Sequence, residues 1–274
     1  MTNDTKQKVR EFYDEIGWQQ EGDGLYQNAR YEDLRPVSRE YIHKTRLRVM
    51  NGLFSTGKFI LDAGSGPVQY EEYKVYSQGY QKRVCLDISI QALREARERI
   101  GDHGLFVVGD LANLPFKQEA FDGAVSMHAI HHLGLTEHPR AYREIYRVLA
   151  SGRTAAIVNG WHEPRLTMAT EPLIGFMRKL SGRSAKKKKE WQNEADATGT
   201  FVQKMTPEWL RREIGSLMVI EIKPWRSLST RFLRWFVRPI GGRMFLRFIF
   251  WLEDLFPKFF AENGQYPLIV VKKK

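Results

Sequence analysis

Apolar and polar positions along the chain change their period several times, and each change predicts an element. Val9, Phe12, Tyr13 and Ile16 recur at helical spacing, so residues 5–16 are expected to form an amphipathic helix ahead of the core. Residues 18–34 are polar, with Gly22, Gly24 and several aromatics, and read as a cover, after which residues 38–53 predict a second helix. From there the pattern alternates. Strands are expected near 58–62, 83–87, 105–108, 122–126 and 154–159, with helices near 70–78, 89–100 and 138–149 between them. Alternation with short connections implies a parallel sheet covered by helices on both faces. Right-handed crossovers then bring the ligand loops to the carboxyl ends of the strands.

The chain is organised around Phe59-Ile60-Leu61-Asp62-Ala63-Gly64-Ser65-Gly66-Pro67, an apolar run that meets an acid and then two glycines. This reads as a buried strand ending in a tight turn, where glycine opens backbone angles closed to other residues and lets a ligand lie against the main chain. The following helix would turn its free N–H groups toward that ligand. A dinucleotide fold is the obvious rival, because Asp87 lies about 20 residues downstream. Position 69, however, is Gln where its third glycine belongs. Asp62 directly before the turn suits a ligand with an amino group and a positive centre.

Leu61-Asp62-Ala63-Gly64-Ser65-Gly66 resembles the first motif of class I S-adenosylmethionine-dependent methyltransferases, and the resemblance runs in order through about residue 160. Val84 to Ser89 is similar to the second strand with its ribose-binding acid. Val108 to Leu111, followed by Leu114-Pro115-Phe116, is similar to the third strand and adenine pocket. Phe121 to Ser126 is similar to the fourth strand, and Glu144 to Leu149 to the helix after it. Val68 departs from the pattern, standing where many members carry a further glycine.

The fold this implies is α/β: a Rossmann-like, seven-stranded, mostly parallel sheet with helices on both faces. An N-terminal helical cover would occupy 1–53, the cofactor-binding core 54–160, and a helical insertion with a basic loop 161–218. The last two strands would occupy 219–274, with a long amphipathic helical insertion at 228–262 between them. The implied cofactor is S-adenosyl-L-methionine. Its expected contacts are Asp62, Gly64, Ser65 and Gly66 at the turn, Asp87 and Ile88 at the ribose, Asp110 and Leu111 at the adenine, and Met127 and His128 after the fourth strand. Asp62 is expected to order the turn and meet the methionine amino group. Asp87 could instead cap the helix at Ser89, and Asp110 could merely shape a turn.

His131 or His132 could act as general base if the methyl acceptor is a hydroxyl, with helix packing as the alternative. Tyr13, Tyr26 and Tyr31 are candidates to line the substrate site, or else to pack the cover. His128, His131 and His132 tempt toward a metal, yet no cysteine or well-placed acid completes a ligand set, so none is expected.

Composition narrows the surroundings. The 274 residues are 42% hydrophobic, enough for a full core, and the formal charge is +11, from 43 basic and 32 acidic side chains. Such a charge favours nucleic acid, lipid headgroups or an acidic substrate without choosing among them. Cys85 alone excludes an internal disulfide and fits a reducing cytoplasm. The polar start, Met1 to Thr5, carries no secretory pattern, so a cytoplasmic protein is expected. Lys186 to Lys189 with Arg183 read as a solvated loop or an anion-binding one.

Residues 224–267 separate the last two strands, far more than a hairpin needs. Their apolar arc, striped with Arg231, Arg234, Arg238, Arg243 and Arg247, is wider than one-sided packing requires. It predicts a lid over a greasy substrate or an element lying on an anionic membrane surface, against core or dimer packing. The expected activity is methyl transfer to a hydrophobic small molecule such as a lipid, quinone or polyketide-like compound, as in the ubiquinone- and menaquinone-type enzymes of this family. A nucleic-acid methyltransferase using the basic surface and a non-catalytic binding protein stand as alternatives. Nucleic acid is disfavoured by the absence of an appended RNA-binding segment or an Asn-Pro-Pro-Tyr-type motif.

Overall fold

The computed structural model describes residues 3–18, 32–180 and 200–274. Among these, seven strands form one sheet in the order β3-β2-β1-β4-β5-β7-β6. They are β1 (Gly57–Ala63), β2 (Tyr80–Asp87), β3 (Gly104–Val108), β4 (Gly123–Met127), β5 (Thr154–Val158), β6 (Val219–Arg226) and β7 (Tyr266–Lys272). The first five are mutually parallel, while β7 runs antiparallel to both β5 and β6. The expected α/β architecture is therefore present, and the late strands complete the same sheet as the early ones.

Period-two alternation explains why the strands read as continuous apolar runs. Leu61, Leu86, Ala124, Ile157 and Ile269 point to one face, where α5 (His138–Val148) and α7 (Pro207–Glu213) cover them. Ile60, Cys85, Val125, Ala156 and Val270 point to the other, under α3 (Glu71–Val75), α4 (Ile90–Ile100) and the 3-10 turn at Arg48–Gly52. A sheet buried on both faces leaves no polar side to its strands. Two helix starts are set locally. Ser89 accepts a hydrogen bond from the Ala92 N–H, and Thr206, followed by Pro207, accepts one from the Trp209 N–H.

Two expected helices are subdivided. The N-terminal one is an α-helix, α1 (Asn3–Phe12), that widens to a π-turn at Tyr13–Gly17. The second is α2 (Arg39–Leu47), continued by the 3-10 turn. The insertion after β5 begins with α6 (Arg165–Leu180), and the basic loop Arg183 to Lys189 lies outside the described residues.

The long insertion between β6 and β7 folds as α8 (Thr230–Phe236), α9 (Gly242–Leu255) and α10 (Pro257–Asn263). Its inner face packs Leu233, Val237 and Leu246 on Val37, Tyr41 and Ile42 at the start of α2. A buried polar knot fastens it. Glu253 of α9, fully buried, accepts hydrogen bonds from the Tyr41 hydroxyl (2.6 Å), the Ser227 N–H (3.0 Å) and Arg48 Nη1 (2.5 Å). Arg48 also bonds Asp254 (2.6 Å) and lies over the Phe250 ring. With every partner in place the buried carboxylate is satisfied, and the insertion is fixed to the body of the molecule.

Candidate active site

The carboxyl edge of the parallel strands surrounds a cavity of about 550 Å³, within the range of small-molecule sites. The turn after β1 forms its floor. Gly64 and Gly66 have φ of 74° and 53°, and a β-carbon on Gly64 would stand 2.3 Å from that of Ala129. On Gly66 it would meet the Trp18 ring at 2.9 Å. Both positions therefore need glycine for conformation and for room. Val68, where a further glycine was expected, also takes a positive φ of 53° although it is β-branched and fully buried. The turn keeps a glycine-like geometry without the glycine.

Asp87, at the end of β2, locks the turn to the next helix. Its Oδ2 accepts from the Gly66 N–H (2.8 Å) and its Oδ1 from the Ser89 N–H (2.9 Å). The helix-start role considered for Asp87 is thus real and coexists with a place in the cavity wall. Burial pushes its pKa up to about 6, against the pull of those N–H groups. Asp110 accepts from the Ala112 N–H (2.8 Å) and from Lys6 of α1 (2.7 Å), and Lys6 also pairs with Glu137 (2.6 Å).

Asp62 is a correction. It is 2% exposed and is not part of the cavity wall, because the pleat sends it to the same face as Ile60. There the Arg83 guanidinium binds its Oδ2, with Nε at 3.0 Å, and Arg83 also donates to the Tyr73 carbonyl. The acid of the motif braces the sheet beneath α3.

The segment after β4 turns sharply, with His128 at φ 57°. Its ring packs between Trp225 and Tyr266, at centroid distances of 5.3 and 5.1 Å. Burial, followed by the Arg226 charge, lowers its pKa to about 3. His132 corrects the general-base expectation. Its Nδ1–H donates to the Phe201 carbonyl (2.8 Å), which leaves Nε2 to accept from the Tyr13 hydroxyl (2.7 Å). Both nitrogens are occupied, and burial lowers its pKa to about 4. His131 has a buried Nδ1 with no partner among the described residues, and burial together with His132 holds its pKa well below the usual range. Near neutral pH all three rings are uncharged and weak proton acceptors.

The structure brings Tyr13, Gly64, Ser65, Gly66, Asp87, Ile88, Asp110, Leu111, Met127, His128, His131 and His132 to one cavity. Tyr26 and Tyr31 lie outside the described residues. Sequence reasoning missed Lys6, Trp18, Glu32, Lys204, Arg226 and Tyr266, which also line it. Glu32 pairs with Arg226 and with Arg46 (3.3 Å), and these charges outweigh the effect of burial and hold its pKa low. A topological signal existed for two of these residues. With β6 and β7 antiparallel, the end of one and the start of the other pair as Arg226 with Tyr266 at the ligand edge. Lys204 comes from an extended strap after α6 whose Thr200, Val202 and Lys204 alternate into the cavity. The strap's intervening groups hold the histidine turn, through Phe201 O to His132 and the Gln203 N–H to the His131 carbonyl (2.7 Å).

No part of 228–262 lines the cavity, so the lid alternative for that insertion is not what the fold provides.

A mostly parallel sheet of this order with a glycine turn, a strand-end acid and a cavity across its carboxyl edge is the Rossmann-like methyltransferase fold. Residues 61–157, about a third of the chain, match the family model of a methyltransferase domain, and that match together with the fold supports S-adenosylmethionine-dependent methyl transfer. Solved structures share the whole fold at low identity. A geranyl diphosphate methyltransferase in complex with GPP and sinefungin aligns with a TM-score of 0.58 at 15% identity, covering 99% of this chain and 100% of that one. A Thermotoga maritima methyltransferase, described as a possible histamine N-methyltransferase, gives 0.54 at 16%, covering 87% and 91%. The [4+2]-cyclase SpnF gives 0.53 at 16%, covering 98% and 93%. By sequence, no curated protein matches.

Proposed function

We propose that the enzyme methylates a hydrophobic small molecule and meets it at an anionic lipid surface. The observation that carries this reading is the division of the cavity wall. The carboxylates of Asp87 and Asp110 lie where the cofactor is expected, while Phe12, Tyr13, Trp18, Leu133 and Val202 offer apolar surface in the same cavity. In this assignment Asp87 accepts from the ribose, the turn at Gly64 to Gly66 lets the cofactor lie on the main chain, and Met127 and His128 border the reacting end. The cofactor supplies an electrophilic methyl group on a sulfonium. The chain's part is to align the acceptor with it and exclude water, which the stacked Tyr13 and Trp18 rings (5.2 Å) support. Neutral His131 and the Tyr13–His132 pair orient an acceptor and do little as bases.

The membrane part rests on the outer face of α9 and α10. Met244, Phe248, Trp251, Leu255 and Phe259 are each at least half exposed, and Ile240 in the preceding turn is 94% exposed. Monomeric soluble proteins seldom show so continuous an apolar strip, and Arg243 and Lys258 flank it with positive charge. No helix among the described residues is long and apolar enough to cross a membrane, so contact would be from one side.

Calorimetry with S-adenosylhomocysteine tests the cofactor assignment, and co-sedimentation with phosphatidylglycerol and phosphatidylcholine vesicles tests the surface. Binding of the first and preference for the anionic vesicles are expected. No binding of S-adenosylhomocysteine, or equal partition to neutral vesicles, would contradict the respective part. Transfer of a labelled methyl group to extracted lipids would then identify the acceptor. Cofactor binding without any transfer would favour a non-methylating use of the same fold.

A further inference from the structure

Among the described residues, six formally charged side chains face the cavity: Lys6, Glu32, Asp87, Asp110, Lys204 and Arg226. Lys6 is neutralised by Asp110 and Glu137, Arg226 by Glu32, and Asp87 is held by main-chain N–H groups. Lys204 alone meets no acid and no hydrogen-bond acceptor among the described residues, and burial lowers its pKa with nothing to offset it. Its Nζ lies 3.5 Å from where a Gly160 β-carbon would stand, a spot the Tyr266 ring approaches to 3.3 Å. The Arg226 guanidinium is 4.8 Å from the centre of that same ring. Two cations thus lie beside Tyr266, and only Arg226 has a carboxylate, Glu32, which Arg46 also binds. A partly buried ammonium without a counter-charge is costly, and an anion arriving there gains a charge-assisted hydrogen bond.

The position points to the acceptor. Asp87 ends β2 and Asp110 follows β3, on one side of the glycine turn, whereas Gly160 follows β5 and Tyr266 begins β7. In the sheet order β7 lies two strands beyond β4, roughly 10 Å past the edge where Met127 and His128 border the reacting end.

We propose that Lys204, with Arg226 behind it, docks an acidic group of the methyl acceptor, a carboxylate or a phosphate monoester on an otherwise apolar molecule. The inference rests on the reading of the cavity as a site for a hydrophobic acceptor and names the head group it takes. Lys204 is here a binding residue that holds the acceptor's charged end, leaving its apolar part along Val202 and Leu133.

The test uses the full chain saturated with S-adenosylhomocysteine and titrated, below their micelle-forming concentrations, with dodecanoate, dodecyl phosphate and dodecanol. At least one anionic probe is expected to bind roughly ten-fold or more tightly than the alcohol, the scale of one charge-assisted hydrogen bond. Which anion leads tells carboxylate from phosphate. Lys204→Met should erase the preference and leave S-adenosylhomocysteine affinity unchanged, and Lys204→Arg should retain it. Equal binding of all three probes overturns the inference. So does a Lys204→Met variant that loses S-adenosylhomocysteine affinity, which would assign the ammonium to the cofactor's own carboxylate. Failure of the unaltered chain to bind S-adenosylhomocysteine would instead sink the underlying reading of the cavity, and this one with it.

Discussion

At the glycine-turn end of the cavity, the floor is made of main chain and short side chains. At the other end the wall is made of long side chains drawn from distant segments. Gly64, Gly66, Asp87 and Ser89 are joined within a few residues of β1 and β2, and the Gly64 and Ser65 N–H groups both bond the Leu86 carbonyl, at 2.7 and 3.1 Å. Lys204, Arg226, Glu32 and Tyr266 come from four segments spread over the chain. The first end is a property of a local turn between neighbouring strands, so it is rigid. The second depends on the docking of a strap, an edge strand and the segment before α2, so it can change its chemistry while the turn stays the same.

The largest effect is expected beneath the first end. Arg83→Met leaves Asp62 charged and unpaired in the core and should cost about 3–5 kcal/mol, the usual scale for a broken buried ion pair, read as a lower urea midpoint. A loss under 1 kcal/mol would mean that Asp62 escapes to water and that the turn is less rigid than described.

Gly64→Ala comes next. Placing a side chain at φ 74° against Ala129 adds about 1–2 kcal/mol of backbone strain before the clash is counted, so S-adenosylhomocysteine affinity should fall about ten-fold or more. Asp87→Ala should weaken the same binding by about 1.5–3 kcal/mol, the scale of a lost charged hydrogen bond. If calorimetry finds both variants unchanged, the cofactor does not lie on this end.

Acidification separates the two ends by sign. His128 and His132 have folded-state pKa values lowered to about 3 and about 4, so their contribution to stability is complete above pH ~6.5 and is lost as pH falls toward those values. Asp87, raised to about 6, acts in the opposite sense, since its contribution is complete below pH ~3.8 and is lost as pH rises through 6. With three lowered cavity histidines, His131 included, against one raised acid, thermal unfolding should move to lower temperature between pH ~6.5 and ~4. His132→Gln should flatten that slope, and an identical slope in the variant would contradict the neutral, doubly bonded ring.

The smallest change in stability is expected farthest from the cavity. Trp251→Glu, on the exposed face of α9, should alter stability by no more than ~0.5 kcal/mol, as exposed positions do. It should nevertheless remove most binding to anionic vesicles. Retained vesicle binding would detach this face from the acceptor reading.

The glycine turn, Asp87, Asp110 and the strands were legible because each depends on neighbours in sequence: an apolar run, an acid at its end, glycines two apart. Asp62 was legible as an acid and misplaced as a contact, since the pattern does not say that Arg83, one strand away, holds it on the far face. His132 looked like a base for the same reason, until the Phe201 carbonyl and the Tyr13 hydroxyl occupied both nitrogens. The long insertion's basic and apolar stripes were plain in the sequence, but only Glu253 and its partners show which face is inward.

By itself the sequence determined the parallel core and the turn that begins its site, because hydrophobic period and glycine act over a few residues. Only the tertiary structure decided which charges are neutralised and which face the cavity. Pairing depends on approach to within about 3 Å across segments tens to hundreds of residues apart, and no local pattern encodes that distance.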